Sequence, residues 1–387
     1  MLTYSIYEYD ARVKRYAESL ADRGDLVDVI SLKTLQQPLR TQMNGMHIYR
    51  IQSRDFSERS PLSYLLRILY FFFKSIILLS YLSAKQKYDI IHIHSVPDFL
   101  VFTALLPKFL GAKIILDIHD ILPEFYQRKF NVPAEHVSIR FLRTLERLSC
   151  KFSDHIIIAN HLWREKIAER SVQHKKCSVF INTPDPRIFG NVRATKNKNQ
   201  KFRLLYHGNL GEHFGVDIAI KAMDKITEDI LNAELFVLSG KKNLDNLQEL
   251  VDELDLRDYI YFTKEYVPVE EVPKYVSDAD VGIVPQKDGV FSGDALSTKL
   301  LEYVFMGIPV VASRLNAFQI YFDDSMLSYF EPGNPKDLAR AVLDLYRNPR
   351  KKQQLLLNAD RFNKKYNWER YKAAYHRLID NLCTKAQ

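Results

Sequence analysis

Cysteine is scarce in this chain. Its 387 residues include three, Cys150, Cys177 and Cys383, too far apart for a zinc or redox spacing. That excludes a disulfide scaffold and points to reduced thiols in a reducing compartment. There is no glycine–proline period, low-complexity tract or tandem repeat, which excludes collagenous and solenoid architectures. GxSxG, P-loop and HExxH motifs are absent as well, so the common serine-hydrolase, NTPase and zinc-protease readings fall away. Met1-Leu2-Thr3-Tyr4 has no basic flank and apolar core, so no signal peptide is expected. Those residues read as the tail of a buried first strand. An unbroken membrane span is missing too. Leu62 to Ala84 is long enough, but Arg67 and Lys74 interrupt it, each costing about 2.5–3.5 kcal/mol at the bilayer centre. A helix covering a sheet, or lying on a membrane surface, fits better.

What is present is a globular composition, 47% hydrophobic and 26% charged, long enough for two domains. The net charge of +8 is uneven. Residues 1–190 hold 27 Lys+Arg against 19 Asp+Glu, and residues 191–387 hold 28 of each. A basic first half suits an anionic partner: lipid head groups, a lipid phosphate or nucleic acid.

Short apolar runs alternate with helical patterns. The first half predicts strands at 26–32, 48–51, 90–94, 113–118, 155–158 and 178–181, with helices at 11–23 and 139–152. Apolar runs of this length separated by helices indicate buried parallel strands. The pattern stops at Asn182–Gln200, whose prolines, glycine and polar end read as a linker. It restarts with strands at 202–206, 233–238, 260–262, 281–284, 309–312 and 327–330, and helices at 216–226, 243–254, 298–306 and 335–346. The expected fold is α/β, with two Rossmann-like lobes facing each other across a cleft. The boundaries are 1–190, 191–367 and a last helix, 368–387, crossing back to the first lobe. Ligands in such sheets sit at the carboxyl ends of the strands.

The segment Asp294–Ala312, DALSTKLLEYVFMGIPVVA, carries the most chemistry. A helix opening near Thr298 offers free N–H groups and a positive dipole end, a natural diphosphate site. Ser297 or Thr298 can cap it, and Lys299 adds charge. Glu302 lies one turn on, on the same face, where a carboxylate can accept both hydroxyls of a ribose. By spacing alone, a solvated Glu302 is an equally good reading.

This segment resembles the signature of glycosyltransferase family 4, enzymes of the GT-B fold. YHGNLGEHFGVDIAIKA at 206–222, the strand end Ser239-Gly240, Tyr266-Val267-Pro268 and ADVGIVP at 279–285 match in order, as do Ile118-His119-Asp120 and Asn182-Thr183-Pro184-Asp185. The resemblance implies a retaining transferase that uses a nucleotide-diphosphate sugar, needs no metal or other cofactor, and works in cell-surface polysaccharide synthesis. It implies Glu302 as ribose ligand and Asp294 beside the transferred sugar. Gly208, Asn209, His213, Gly240, Tyr266, Val267, Ser297, Thr298 and Lys299 complete the donor site. His119 is implied beside donor sugar and acceptor, and Asp10, Arg12 and Asp120 toward a glycan or lipid-linked acceptor. The chain departs from the family at Asn209 and Phe214, where many members carry an Arg and a Lys on the diphosphate. His213, Lys287, Lys299 and Arg314 are the candidates to replace them. Tyr7–Arg12 stands where a glycine pair is usual.

His92 and His94 share a strand face but show no third metal ligand in the sequence. Asp278-Ala279-Asp280 reads as a helix end before a buried strand. The expected location is cytoplasmic, peripheral on an anionic membrane through the first lobe, with no nucleic-acid partner. The alternatives are a nucleotide-sugar epimerase on the same fold, or a non-catalytic basic binding protein.

Overall fold

A computed structural model describes residues 1–54, 61–190, 192, 201–240, 244–263, 265 and 267–384. The chain divides into two compact units, Met1–Asn182 with Glu369–Gln387, and Thr183–Trp368. The break falls at Asn182, where the linker-like segment begins, and the C-terminal helix Trp368–Thr384 lies almost wholly in the first unit.

The first unit is built on β1 (Leu2–Ile6), β2 (Asp28–Lys33), β3 (Arg40–Met43), β4 (Met46–Ser53), β5 (Ile90–His94), β6 (Lys113–Ile118), β7 (His155–Ile158) and β8 (Cys177–Val179). Their order is β3-β4-β2-β1-β5-β6-β7-β8. All pairs are parallel except β3–β4. Parallel strands buried on both sides need Ile/Val-rich runs, and β5 to β7 are such runs. The edge strand β3 has alternating exposure and was not foreseen. Its signal was Asn44-Gly45, at φ 49° and 77°, the dipeptide favoured where a two-residue hairpin turn needs two positive φ angles. It joins Met43 to Met46.

The helix Ala11–Arg23 is capped at both ends. Asp10 accepts from the Val13 N–H at 3.1 Å, and Gly24 takes a left-handed φ of 96°. Tyr16 on its buried face lies with its ring centre 4.5 Å from that of Tyr375 of the C-terminal helix, the rings tilted by 49°. The Tyr375 hydroxyl meets His92 Nδ1 at 2.8 Å. These buried contacts tie the last helix to the first unit.

Among the described residues one helix, Leu62–Lys85, is long and apolar enough to cross a membrane. Ile68, Phe71, Leu79 and Leu82 on one face are buried, packed toward β4 and the residues 98–110. It therefore covers the unit with one face.

The second unit has β9 (Phe202–His207), β10 (Ala233–Leu238), β11 (Ile260–Phe262), β12 (Val281–Val284), β13 (Val310–Ser313) and β14 (Ser328–Phe330), all parallel in the order β11-β10-β9-β12-β13-β14. Its core joins sheet residues such as Leu204, Val281 and Val311 to Ile218, Ile226, Leu338 and Val342 of the helices Val216–Asp229 and Pro335–Arg347. In both sheets strand order reverses beside the first strand, between β1 and β5 and between β9 and β12. At such switch points the connecting helices leave to opposite faces and open a crevice.

One glycine fixes how the helix Thr298–Phe305 sits. Its Tyr303 ring lies on Gly282 of β12, where an added Cβ would come within 2.5 Å of the ring. The Tyr303 hydroxyl donates to Leu205 O at 2.8 Å. Gly282→Ala is therefore expected to push this helix off the sheet and lower unfolding free energy by about 1–3 kcal/mol. Denaturant titration of the purified variant measures this, and wild-type stability would refute the contact's role.

Candidate functional site

In the second unit the polar groups gather where β9, β10, β12 and β13 end. The loop after β9 begins with Gly208 at φ 113°, a conformation that side chains resist. Asn209 Oδ1 accepts from the Gly211 N–H at 2.8 Å, and its carbonyl takes the Tyr206 hydroxyl. Asn209 thus shapes the loop from an exposed position. The loop then makes a short turn, Glu212–Phe214, with His213 stacked on Phe214 at 3.9 Å. Gly215 closes it against Pro285 O, which a Cβ would meet at 1.8 Å. The β9 and β12 exits are locked together there.

The helix Thr298–Phe305 points its first turn toward this loop. The Gly208 Cα hydrogen faces Lys299, whose Cε would be 3.4 Å from an added Cβ. Ser297 at the helix cap is buried, and its hydroxyl has no partner. Thr298 is exposed, while Lys299 is buried with its ammonium 5.1 Å from the Tyr206 ring centre and 4.3 Å from that of Phe214. Burial lowers the Lys299 pKa to about 8, opposed by Glu302. Glu302 is half-buried and lies 3.2 Å from His207 Nε2. Burial, then Lys299, push His207 down to about 3, so this imidazole is neutral and its contact with Glu302 is not an ion pair. Sequence reasoning passed over His207, although it stands inside YHGNLG. Its signal was a histidine closing an otherwise apolar strand.

Ser239, at the β10 exit before the half-buried Gly240, and Ser313, at the end of β13, are also buried with unpartnered hydroxyls. Unsatisfied buried polar atoms are costly in a protein with nothing bound. Here several cluster at strand ends, where a polar ligand would satisfy them. Asp294 ends the turn Ser292–Asp294 and is half-buried. A Cβ at Gly293 behind it would come within 2.3 Å of the Asp288 carboxylate, which would have to move aside. Val267 is half-buried. Tyr266 lies outside the described residues.

The other expected cations differ in availability. Lys287 pairs with Asp217 at 3.1 Å, and Arg314 with Asp324 at 2.6 Å. Lys287 also lies 3.9 Å from Glu212 of the loop after β9, and Lys299 faces Gly208 of the same loop. In the Asp278-Ala279-Asp280 segment, Asp280 accepts from the Arg203 N–H at 2.9 Å, and Asp278 caps a helix end.

In the first unit the β1, β5 and β6 exits hold a buried charge network. Arg12 forks onto Asp117, with Nε to Oδ2 at 2.8 Å and Nη2 to Oδ1 at 2.7 Å, and its Nη1 donates to Phe180 O at 2.8 Å. Its guanidinium is thus spent inside the unit, and only Asp10 and Asp120 of the expected acceptor-facing residues are half-exposed. Asp117 Oδ2 also meets His119 Nε2 at 3.1 Å and His94 Nδ1 at 3.2 Å. Burial works against a charged His119, but Asp117 outweighs it and raises the His119 pKa. Burial lowers His94 and, with His94 beside it, His92. Asp117 itself stays well below the usual carboxylate range, because Arg12 and His119 overcome its burial. His92, His94 and Asp117 place ligand atoms within 4.8 Å of one another. The third ligand missing from the sequence reading is Asp117, yet both of its oxygens are taken by Arg12. A cation there would sit against a guanidinium, so this cluster fits an ion-paired core better than a metal centre.

Comparison with known proteins follows the same division. A family profile described as "Glycosyl transferases group 1" matches residues 201–348, and one described as "Glycosyl transferase 4-like domain" matches residues 9–183. The chain is 22% identical over 320 residues to the O-antigen biosynthesis glycosyltransferase WclY of Escherichia coli, covering 76% of this chain and 80% of that one. Among solved structures it resembles sucrose-phosphate synthase from Thermosynechococcus elongatus (TM-score 0.77, 17% identity, 99% of both chains). It also resembles Anabaena HepE in complex with UDP (TM-score 0.70, 12% identity, 99% of both chains).

Arg12→Ala strands Asp117 in the core and is expected to cost about 3–5 kcal/mol at neutral pH. Because Asp117 is held low, its contribution exists above the unfolded carboxylate pKa and is lost as pH falls through the folded one. Urea unfolding at several pH values should show the gap between wild type and variant narrowing in acid.

Proposed function

The chain belongs to the family-4-like glycosyltransferases of the GT-B fold, and on that footing we propose a retaining transfer from a nucleoside-diphosphate sugar to a glycan or lipid-linked glycan, in cell-surface polysaccharide synthesis. The observation that carries this is one helix start that sets Lys299 against the glycine turn after β9 and Glu302 against His207 at the end of β9, with the unpartnered Ser297 hydroxyl at its cap. A ribose needs an acceptor for two hydroxyls, and a diphosphate needs N–H donors and positive charge. One helix supplies both, one turn apart. The UDP in the HepE structure supports a nucleoside diphosphate, with UDP the first to test. The name of WclY supports a polysaccharide acceptor and favours transfer over epimerisation.

The acceptor hydroxyl attacks the anomeric carbon on the face from which the diphosphate departs. The new carbon–oxygen bond forms as the sugar–phosphate bond breaks, and the hydroxyl proton passes to the leaving phosphate oxygen. No metal enters this scheme. The charge on the departing diphosphate falls to the first turn of Thr298–Phe305 and to Lys299. Lys299 does what an arginine and lysine at positions 209 and 214 would do, and Phe214 serves it as an aromatic support. Asp294 holds the transferred sugar beside its reacting carbon. His119, whose pKa Asp117 raises against its burial, faces the sugar or acceptor as a hydrogen-bond donor. The three cysteines are free thiols, which supports a cytoplasmic site of action.

Calorimetric titration with UDP, and labelled UDP-sugars with membrane extract, test the reading. Glu302→Gln is expected to weaken UDP binding by about tenfold or more, the loss of a charged hydrogen-bond acceptor. UDP affinity is expected to fall as pH rises through about 8, where Lys299 loses its proton, and Lys299→Met should remove that limb. Failure of every nucleotide to bind wild type, with no transfer and no donor hydrolysis, refutes the function.

A further inference from the structure

The helix Pro61–Lys85 is apolar on both faces. Opposite its buried face run Leu62, Leu66, Tyr70, Phe73, Ile77 and Tyr81, three or four residues apart, the repeat of one straight helical stripe. Each is more than half exposed, Ile77 by 71%. At 1.5 Å per residue the stripe is about 28 Å long. The helix Leu105–Phe109 packs beside it and adds Phe109, 89% exposed. A continuous apolar surface of this size signals a partner rather than ordinary surface variation.

The charges around it name the partner. Residues 61–88 and 99–116 contain six basic side chains and no acidic one; of the six, Lys108 pairs with Asp154 at 2.9 Å, while Lys85 and Lys87 are exposed. Lys74 and Lys85 hold their ammonium groups 4.6 Å from the Tyr70 and 4.4 Å from the Tyr81 ring centres, with stems along the apolar stripe and charged heads at its border. Tyrosine and lysine at the edge of an apolar band is the chemistry of a bilayer interface. A second copy of the chain would set two basic rims against each other. The packing argues against a span, since Ile68, Phe71, Leu79 and Leu82 face the unit and Lys74 Nζ donates to Ile51 O of β4 at 3.0 Å.

We propose that this face is a docking surface for an anionic lipid bilayer, with the helix lying in the interface plane. The inference rests on the first unit alone and not on the transfer reaction.

The test is sedimentation with vesicles of phosphatidylglycerol and phosphatidylethanolamine, against phosphatidylcholine vesicles, with UDP binding measured on the same preparation. Wild type is expected to partition to the anionic vesicles, and less so as salt rises. Phe73→Glu with Ile77→Glu should lower partitioning about tenfold or more with thermal unfolding unchanged. Should that variant misfold, Lys85→Gln with Lys87→Gln, both exposed, should reduce the anionic preference alone. The proposal is overturned by no anionic binding at physiological salt, by full binding of the glutamate variant, or by a wild-type dimer that this variant dissolves. Protein that binds UDP but no vesicles sinks this surface alone, whereas vesicle binding without UDP binding sinks the donor reading alone.

Discussion

Parallel pairing is the constraint from which the rest follows. Two parallel neighbours cannot be joined by a hairpin, so each connection crosses a face of the sheet, usually as a helix, and every strand ends on the same edge. In the second unit this collects His207, Gly208, Ser239, Pro285 and Ser313 along one rim. In the first it collects Asp10, His94 and His119. Residues far apart in the chain become neighbours because their strands are, and the polar chemistry sits where the apolar runs stop.

The two units keep charge in a poorly solvated place by different means. Asp117 is ionised because Arg12 forks onto it and His119 adds a third contact. The cost of burying each ion is offset by its partner. Lys299 has aromatic faces instead, Tyr206 and Phe214. Burial, which Glu302 only partly opposes, is why its proton is held less firmly than an ordinary lysine's. A fully paired cation suits a scaffold. A cation poised over rings suits a diphosphate that brings its own negative charge.

The helix Pro61–Lys85 shows how composition and packing divide the work. Arg67 and Lys74 weigh against a span and favour either a covering helix or a surface one. The fold uses one apolar face against β4 and residues 98–110 and leaves the other outward, so both readings draw on the same element.

Much of the fold was legible. Strands such as β5, β6, β7 and β12 are runs whose Ile and Val content and length match a buried parallel strand, and several of the helices carry a clear apolar face. Asp294 to Ala312 also declared its chemistry, because a helix start and a carboxylate one turn on are properties of neighbouring residues. The edge strand β3 was lost because a half-exposed strand has little apolar signal beyond its Asn-Gly turn. The role of Arg12 was lost because its partner is 105 residues away. Separation in sequence also hid the third ligand atom beside His92 and His94, the seat of Lys299 against Gly208, and the neutrality of His207. The sequence by itself determined the local elements, the two-lobed plan and the residues of one helix start. Which charges are paired, which are spent and which stay available was decided only by the tertiary structure, since burial and long-range contacts set ionisation and neither is a property of a short stretch of chain.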